Sequence, residues 1–353
     1  MLRELSVSLI PNNTVIYHRQ HSKSIQIETL PARQPSYGQL GILAIELFQL
    51  IVQHVDLQAL AELRLASYSI KCRIDSTFEL ELIRKHASTA MRAMKETKTL
   101  GYHTLSDVHR ALISKSCAFC GDFGPCVFVL TCERCCLNCI AREPALRLIP
   151  RSYALTYYGI PTDLTKTAKR LQIIPGKYRC RAYAGTMTSS RPGQDLVSAS
   201  EVDSKAIAFH GNRERMERCI EDEHSLQTNG QLLLPSNPIF AHYPSRCPSY
   251  HEDSKVFYTG AFDGFRFTGS VEMPVFRKGT DEIEATFWCA ACKNAFDVSH
   301  YGESSQWRNW FRRWPKKVAR AFDEEGFLEH VKRCKYAPEF SLFQTRTSES
   351  EET

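Results

Sequence analysis

At 353 residues the chain is long enough for roughly two domains and a sizeable buried core. Its 43% hydrophobic and 24% charged content is that of a soluble globular protein, with no apolar run reaching the ~18 residues a membrane helix needs. The net charge of +6 is too mild to specify nucleic acid, and the opening MLRELSVSLIPNN has too short an apolar core for a secretory signal. Fourteen cysteines without such a signal point to metal binding in a reducing compartment rather than to disulfides.

Residues 1–38 are polar and broken by Pro11, Pro31 and Pro35, and read as a disordered leader. A helix follows over Leu43 to Val55. One stripe holds Leu43, Leu47, Leu50, Ile51 and Val55; a second holds Ile45, Phe48 and Val52, leaving Glu46, Gln49 and Gln53 as a narrow polar edge. A helix apolar on two sides is buried on two sides. Asp56 is placed to cap a second helix carrying Leu57, Leu60, Leu63 and Leu65. An ordinary core helix pair satisfies the same pattern. Ser76 to Ser114 reads as mostly helical, because ELELIRKHASTAMRAMK has strong helix formers and no breaker. His103 to Ser114 is a further short helix, with Thr104 or Ser106 as its cap.

The first cysteine cluster comes next. Cys117-x2-Cys120 and Cys136-x2-Cys139 are separated by 15 residues, a spacing suited to a four-cysteine zinc site. Each Cys-x2-Cys knuckle turns two thiolates toward one point, and two knuckles complete a tetrahedron. Val127 to Leu130 between them is a short buried strand. A rival pairing uses Cys132-x2-Cys135 and, with the distant His-x3-Cys, resembles a MYND finger; Cys126 and the unused pair are then spare thiols or alternative ligands. Beyond Cys139 the chain alternates short helices with Pro turns to Tyr178. Gly185 to Ser200 reads as a loop and Lys205 to Glu221 as an amphipathic helix. Asp222 to Asp253 is irregular, and Phe257 to Phe276, with Phe265 and Phe267, gives one or two strands.

A second cluster closes the pattern: Cys289-x2-Cys292, then 37 residues later His330-x3-Cys334. Glu282 to Trp288 alternates with Ile283, Ala285 and Phe287 on one face, a strand leading into the knuckle. Asp323 to Cys334 is a helix on which His330 and Cys334, four apart, project together. The order resembles the strand-knuckle-helix plan of zinc fingers with a long insert. Each cluster offers four protein ligands and leaves no position for a reactive water, so two structural Zn²⁺ sites are expected and no catalytic one. No Gly-rich phosphate loop, Gly-x-Ser-x-Gly elbow or His-Glu-x-x-His helix appears, so no enzyme activity is expected. Trp307 to Lys317 interleaves tryptophans with Arg and Lys, in the manner of nucleic-acid surfaces or of packing residues with solvated cations.

The N-terminal helices resemble an F-box, the module that docks substrate receptors onto a Skp-type adaptor in cullin ubiquitin ligases. The motif residues are Leu43-Ala44-Ile45-Glu46-Leu47, Leu50-Ile51, Asp56-Leu57-Gln58-Ala59-Leu60 and Leu63-Arg64, with Ala44 in place of the family's Pro and Ile70 in place of its frequent Trp. Residues 131–139, TCERCCLNC, and Ile174-Pro175-Gly176-Lys177-Tyr178 are similar to segments of the cysteine-rich F-box proteins of filamentous fungi, as is His210-Gly211 before a helix. The resemblance implies an adaptor-facing set of Leu43, Ala44, Leu47, Leu50, Ile51, Leu57 and Leu60. It also implies a Skp-type adaptor and cullin scaffold as partners, an unidentified protein substrate, and a location in cytoplasm or nucleus. The expected architecture is α+β. A disordered segment at 1–38 precedes an F-box-like helical module at 39–85. A helical linker with the first zinc site occupies 86–144, and an irregular zinc-stapled mixed region that binds substrate occupies 145–339. A disordered acidic tail ends the chain at 340–353. The competing expectation is a zinc-dependent nucleic-acid-binding or regulatory protein without a ligase role.

Overall fold

The computed structural model describes residues 5–6, 38–158, 160–174, 177–178, 188–189, 194–216, 218, 265, 267–300 and 318–336. Six helices come first: α1 (Ile45–His54), α2 (Leu57–Ala66), α3 (Tyr68–Asp75), α4 (Phe78–His86), α5 (Ser88–Glu96) and α6 (Leu105–Ile113). The Asp56 carboxylate caps α2 by accepting the Ala59 amide at 2.8 Å. Thr104, not Ser106, caps α6: its hydroxyl accepts the Asp107 amide at 3.2 Å while Asp107 accepts the Thr104 amide at 3.0 Å. The run expected to be continuous breaks at Ala87, between α4 and α5. Nothing local requires the break. Leu80, Ile83, Ala87, Ala90 and Met94 would line one face of a straight helix, and all five are buried. Instead α4 packs against α6, whereas α5 packs against a strand far along the chain.

That strand belongs to the first sheet. β1 (Cys126–Phe128) lies between β2 (Glu133–Cys135) and β8 (Ser270–Glu272), antiparallel to both, with Val127 opposite Arg134 and Val271. α7 (Leu137–Arg142) follows β2. A second antiparallel sheet has the order β3 (Leu148–Pro150), β7 (Asp195–Ser198), β4 (Arg170–Gln172). α8 (Arg151–Tyr158) and α9 (Thr162–Lys166) lie between β3 and β4 in the chain, and β5 (Lys177–Tyr178) pairs with β6 (Thr188–Ser189). β7 corrects the expected loop over Gly185 to Ser200: Leu196 and Val197 are fully buried as the middle strand. The following helix, α10 (Ala199–His210), starts earlier than Lys205, because Ser198 caps it and Gly211, at φ +90°, closes it. His210-Gly211 therefore ends one helix and precedes another helical segment at 213–216, where Asn212 accepts the Arg215 amide.

β9 (Val275–Arg277) and β10 (Glu282–Glu284) form a hairpin, followed by α11 (Ala290–His300) and α12 (Glu324–Arg333). The expected inward face of β10 is reversed. Glu284 is buried and accepts from Arg277 at 2.7 Å, while Ile283 and Ala285 are exposed. Phe287 is buried again, three residues after Glu284, because the chain leaves the hairpin between them and the alternation resets. One buried apolar cluster runs from Phe48 to Ala321 through both sheets, so the core is continuous across the expected divisions at 85/86 and 144/145. A second, smaller cluster surrounds Cys289, Cys292 and Cys334, with Phe287, Phe322 and Phe327. Among the described residues no helix is long and apolar enough to cross a membrane. Most of the first 37 residues, Trp307 to Lys317 and the tail at 340–353 lie outside the described residues.

Candidate metal centres and an exposed helix face

Both expected ligand sets converge. The Sγ atoms of Cys117, Cys120, Cys136 and Cys139 lie within 4.8 Å of one another, as do the ligand atoms of Cys289, Cys292, His330 and Cys334. Individual separations are 3.6 Å for Cys120–Cys136, 3.8 Å for Cys289–Cys334 and 3.5 Å for Cys292–Cys334. A tetrahedral ion with metal–sulfur bonds of about 2.3 Å places its sulfurs about 3.8 Å apart, far beyond the ~2.05 Å of a disulfide. Cys292 Sγ to His330 Nε2 is 3.5 Å, close to the sulfur–nitrogen edge of about 3.5 Å for the same geometry. The two groups can hold metal ions and are compatible with two zinc sites.

The first centre is built by three local devices. Cys117 and Cys120 flank a tight turn in which the Gly121 amide donates to the Cys117 carbonyl at 2.9 Å, with Gly121 at φ +77°. Cys136 is the N-cap of α7 and accepts the Cys139 amide on its sulfur at 3.4 Å, which directs both side chains to one point. Behind the turn stands Arg134, 3% exposed. Its guanidinium donates to the carbonyls of Ala111, Gly124, Met273 and Pro274 at 2.7 to 2.9 Å, tying the end of α6, the knuckle loop and the β8–β9 turn together. Gly124 permits this: a Cβ there would sit 2.8 Å from Arg134 Cγ and 3.2 Å from the Cys117 amide nitrogen. Sequence reading had Arg134 only as part of the TCERCCLNC segment and gave it no role, since a single Arg in a β-strand carries no local signal of burial.

The same geometry decides between the rival cysteine pairs. Cys132 sits at φ +57° in the turn after β1 and Cys135 lies wholly buried in β2; neither joins the four-sulfur group. Burial pushes the Cys132 thiol up to about 12, so it stays neutral. Cys126 is buried in β1 as an apolar packing residue.

The ligands behave oppositely. In the first group the Cys117 thiol is pulled strongly down, by hydrogen bonds from Cys136 and then Cys139, with the amides of Phe119 and Cys120 adding to them. Cys136 and Cys139 are pushed up, chiefly by the same contacts with Cys117. In the second, Cys289 falls to about 4, through hydrogen bonds from Cys292 and then His330, while Cys292 rises. Sulfurs this close cannot all ionise unless a cation sits between them.

In the second centre Asp323 caps α12 by accepting the Gly326 amide at 2.9 Å. The imidazole of His330 stacks on Phe322, with centroids 4.7 Å apart, and Phe327 stacks on Phe287 at 5.1 Å. The Cys292 amide donates to Cys289 Sγ at 3.4 Å, repeating the knuckle of the first centre. Two ion pairs bridge the centres, Lys115–Asp323 at 3.0 Å and Arg320–Asp122 at 2.8 Å.

The helices that open the fold present a different kind of surface. Of the two apolar stripes on α1, Phe48 and Val52 are buried, with Arg73 lying 4.5 Å over the Phe48 ring. The other stripe is open: Leu47 is 53%, Leu50 51% and Ile51 39% exposed, preceded by exposed Ile42, Ala44 and Ile45. Leu43 is half-buried, and its carbonyl accepts from Arg73 at 3.4 Å. Within the chain the helix is therefore buried on one side, and its second apolar side stands open. Leu57 and Leu60, which the motif put on the adaptor-facing set, are 4% and 2% exposed and belong to the core beneath it. They face inward where α2 packs against α3 and the turn at Leu100–Tyr102.

Comparison with family models, with curated proteins and with solved structures finds no match to this chain.

Proposed function

We propose that the chain is a non-catalytic substrate receptor of a cullin-type ubiquitin ligase, docked on a Skp-type adaptor through α1 and held in shape by two structural Zn²⁺ ions. The observation that carries this reading is the open stripe of Leu47, Leu50 and Ile51, with Ile45 beside it. Exposed side chains at this spacing on one helix are costly to leave in water and are the form in which a helix face meets a partner. The motif around them, and the order of helical module and cysteine centres, agree with the resemblance described above. The adaptor-facing set contracts to Leu43, Ala44, Leu47, Leu50 and Ile51, with Leu57 and Leu60 acting beneath it.

The zinc ligands are Cys117, Cys120, Cys136 and Cys139 in one site and Cys289, Cys292, His330 and Cys334 in the other. Zinc would contribute folding energy and no reaction chemistry, since each site supplies four protein ligands. Within a ligase the receptor's share is positional: it raises the effective concentration of a bound protein's lysine near the charged ubiquitin carrier.

Co-precipitation of the full chain with a purified Skp-type adaptor tests the reading. Wild type should bind, and Leu47→Asp with Ile51→Asp should lose at least tenfold in affinity while changing stability little. Leu57→Ala should instead lower stability by ~2–5 kcal/mol through the cavity it leaves. Absence of adaptor binding by a folded wild-type chain, or binding that survives Leu47→Asp/Ile51→Asp, rejects the proposal.

A further inference from the structure

The second metal centre has an occupied edge that the reading above does not use. Successive amides of an extended segment point to opposite sides. At the entrance to the Cys289 knuckle, Phe287 points one way and exchanges both backbone hydrogen bonds with Phe322, each at 2.9 Å. Trp288 and Ala290 point the other way. There the Ala290 amide donates to the Leu5 carbonyl at 3.0 Å and the Trp288 amide to Ser6 Oγ at 3.2 Å, and Ser6 pairs antiparallel with Cys289. The Leu5 side chain packs on the small cluster that contains the cysteine ligands. Two residues that sequence reading put in a disordered N-terminal segment thus dock on the knuckle through an isolated antiparallel bridge.

Beside Ser6 the edge does not end. A cavity of about 610 Å³ opens there, walled by the Ile283–Trp288 segment, by the start of α5 at Ala87, Thr89 and Ala90, and by Glu272 and Pro274. Ser6, Thr286, Phe287 and Trp288 all line this cavity, so the edge that Ser6 occupies borders it directly.

We infer that the Thr286–Ala290 edge is a peptide-binding site, occupied in cis by Leu5–Ser6, whose ligand is an extended segment carrying an aliphatic residue followed by Ser or Thr. Strand addition supplies the main-chain hydrogen bonds, and two side-chain preferences set the specificity: an aliphatic group against the Phe287/Phe327 cluster and a hydroxyl that accepts the Trp288 amide. The N-terminal segment then acts as a built-in competitor, tethered at high effective concentration. The inference rests on the geometry of the second centre and holds whether or not an adaptor binds α1.

The probe is a fluorescent peptide of the chain's own first 12 residues, and the readout is anisotropy against the zinc-loaded full chain. Leu5→Asp empties the cis site, so the peptide should bind that variant at least tenfold more tightly than wild type. A peptide carrying Leu5→Asp and Ser6→Ala should fail to bind it. Zinc content and circular dichroism report whether the variant keeps its fold, and Leu5→Gly replaces it if the charge disturbs the cluster. Equal binding of the peptide to wild type and to a folded variant, or no binding to either, overturns the inference. Retained adaptor binding alongside a negative peptide result confines the failure to this site.

Discussion

Arg134 shows how much one side chain can organise. Among the described residues it is a buried cation without a carboxylate partner, yet it donates to four carbonyls from three separate stretches of chain. Burial pushes its guanidinium down to about 10, still charged at neutral pH. The arrangement is stable because carbonyl dipoles surround the charge and because a filled Cys117/Cys120/Cys136/Cys139 site is itself negative. Arg134→Met keeps much of the volume and removes every donor. Leaving buried carbonyls unpaired costs ~1–3 kcal/mol each, so the variant should be at least ~3 kcal/mol less stable in urea unfolding. A loss under ~1 kcal/mol would mean that water replaces the guanidinium freely.

At the scale of elements, the helix starts were the most legible feature. Asp56, Thr104 and Asp323 each cap the helix that follows, because a short polar acceptor before an apolar periodic run meets amides that have no other partner. Asp107 completes the cap of α6. Burial alone would raise its carboxyl, but the Thr104 amide and hydroxyl, with Arg110, pull it below the ordinary carboxylate value. Its contribution to stability is therefore full above the unfolded value near pH 3.9 and lost as pH falls through the lower folded value. The stability difference between wild type and Asp107→Asn, measured by chemical unfolding, should be ~1 kcal/mol at pH 7 and shrink below pH ~4. A difference that stayed flat to pH 3 would contradict the capping role. The α4–α5 break and the inward turn of Glu284 show the limit of the same reasoning, since both depend on what packs opposite.

For the whole molecule, two candidate metal centres lie in a fold whose described sheets are only two or three strands wide. Structural zinc sites carry apparent binding energies on the order of 10 kcal/mol or more, comparable to the net stability of a domain. Purified protein should therefore contain two zinc ions per chain by elemental analysis, and strong chelation should cause cooperative loss of structure. Cys136→Ser should reduce the content to one, and Cys132→Ser should leave both. One zinc or none in the wild type would remove the basis for the paired centres. Lys115–Asp323 and Arg320–Asp122 join the two regions, though exposed pairs of this kind contribute little by themselves.

The amino-acid sequence by itself determined the Cys117/Cys120 knuckle, the second ligand set, the Asp56 cap and the apolar periodicity of α1, because each depends on residues a few positions apart. Knuckle spacing and helical spacing are local geometry. Only the tertiary structure decided which pair of the Cys132–Cys139 group faces the first centre, since Cys132 and Cys135 differ from Cys136 and Cys139 in direction, not in spacing. It also decided which stripe of α1 meets the core, and that Leu57 and Leu60 lie beneath the open face. The placement of Arg134 and the docking of Leu5–Ser6 on a knuckle more than 280 residues away belong to the same class. Those outcomes are set by contacts between distant segments, for which a one-dimensional pattern carries no signal.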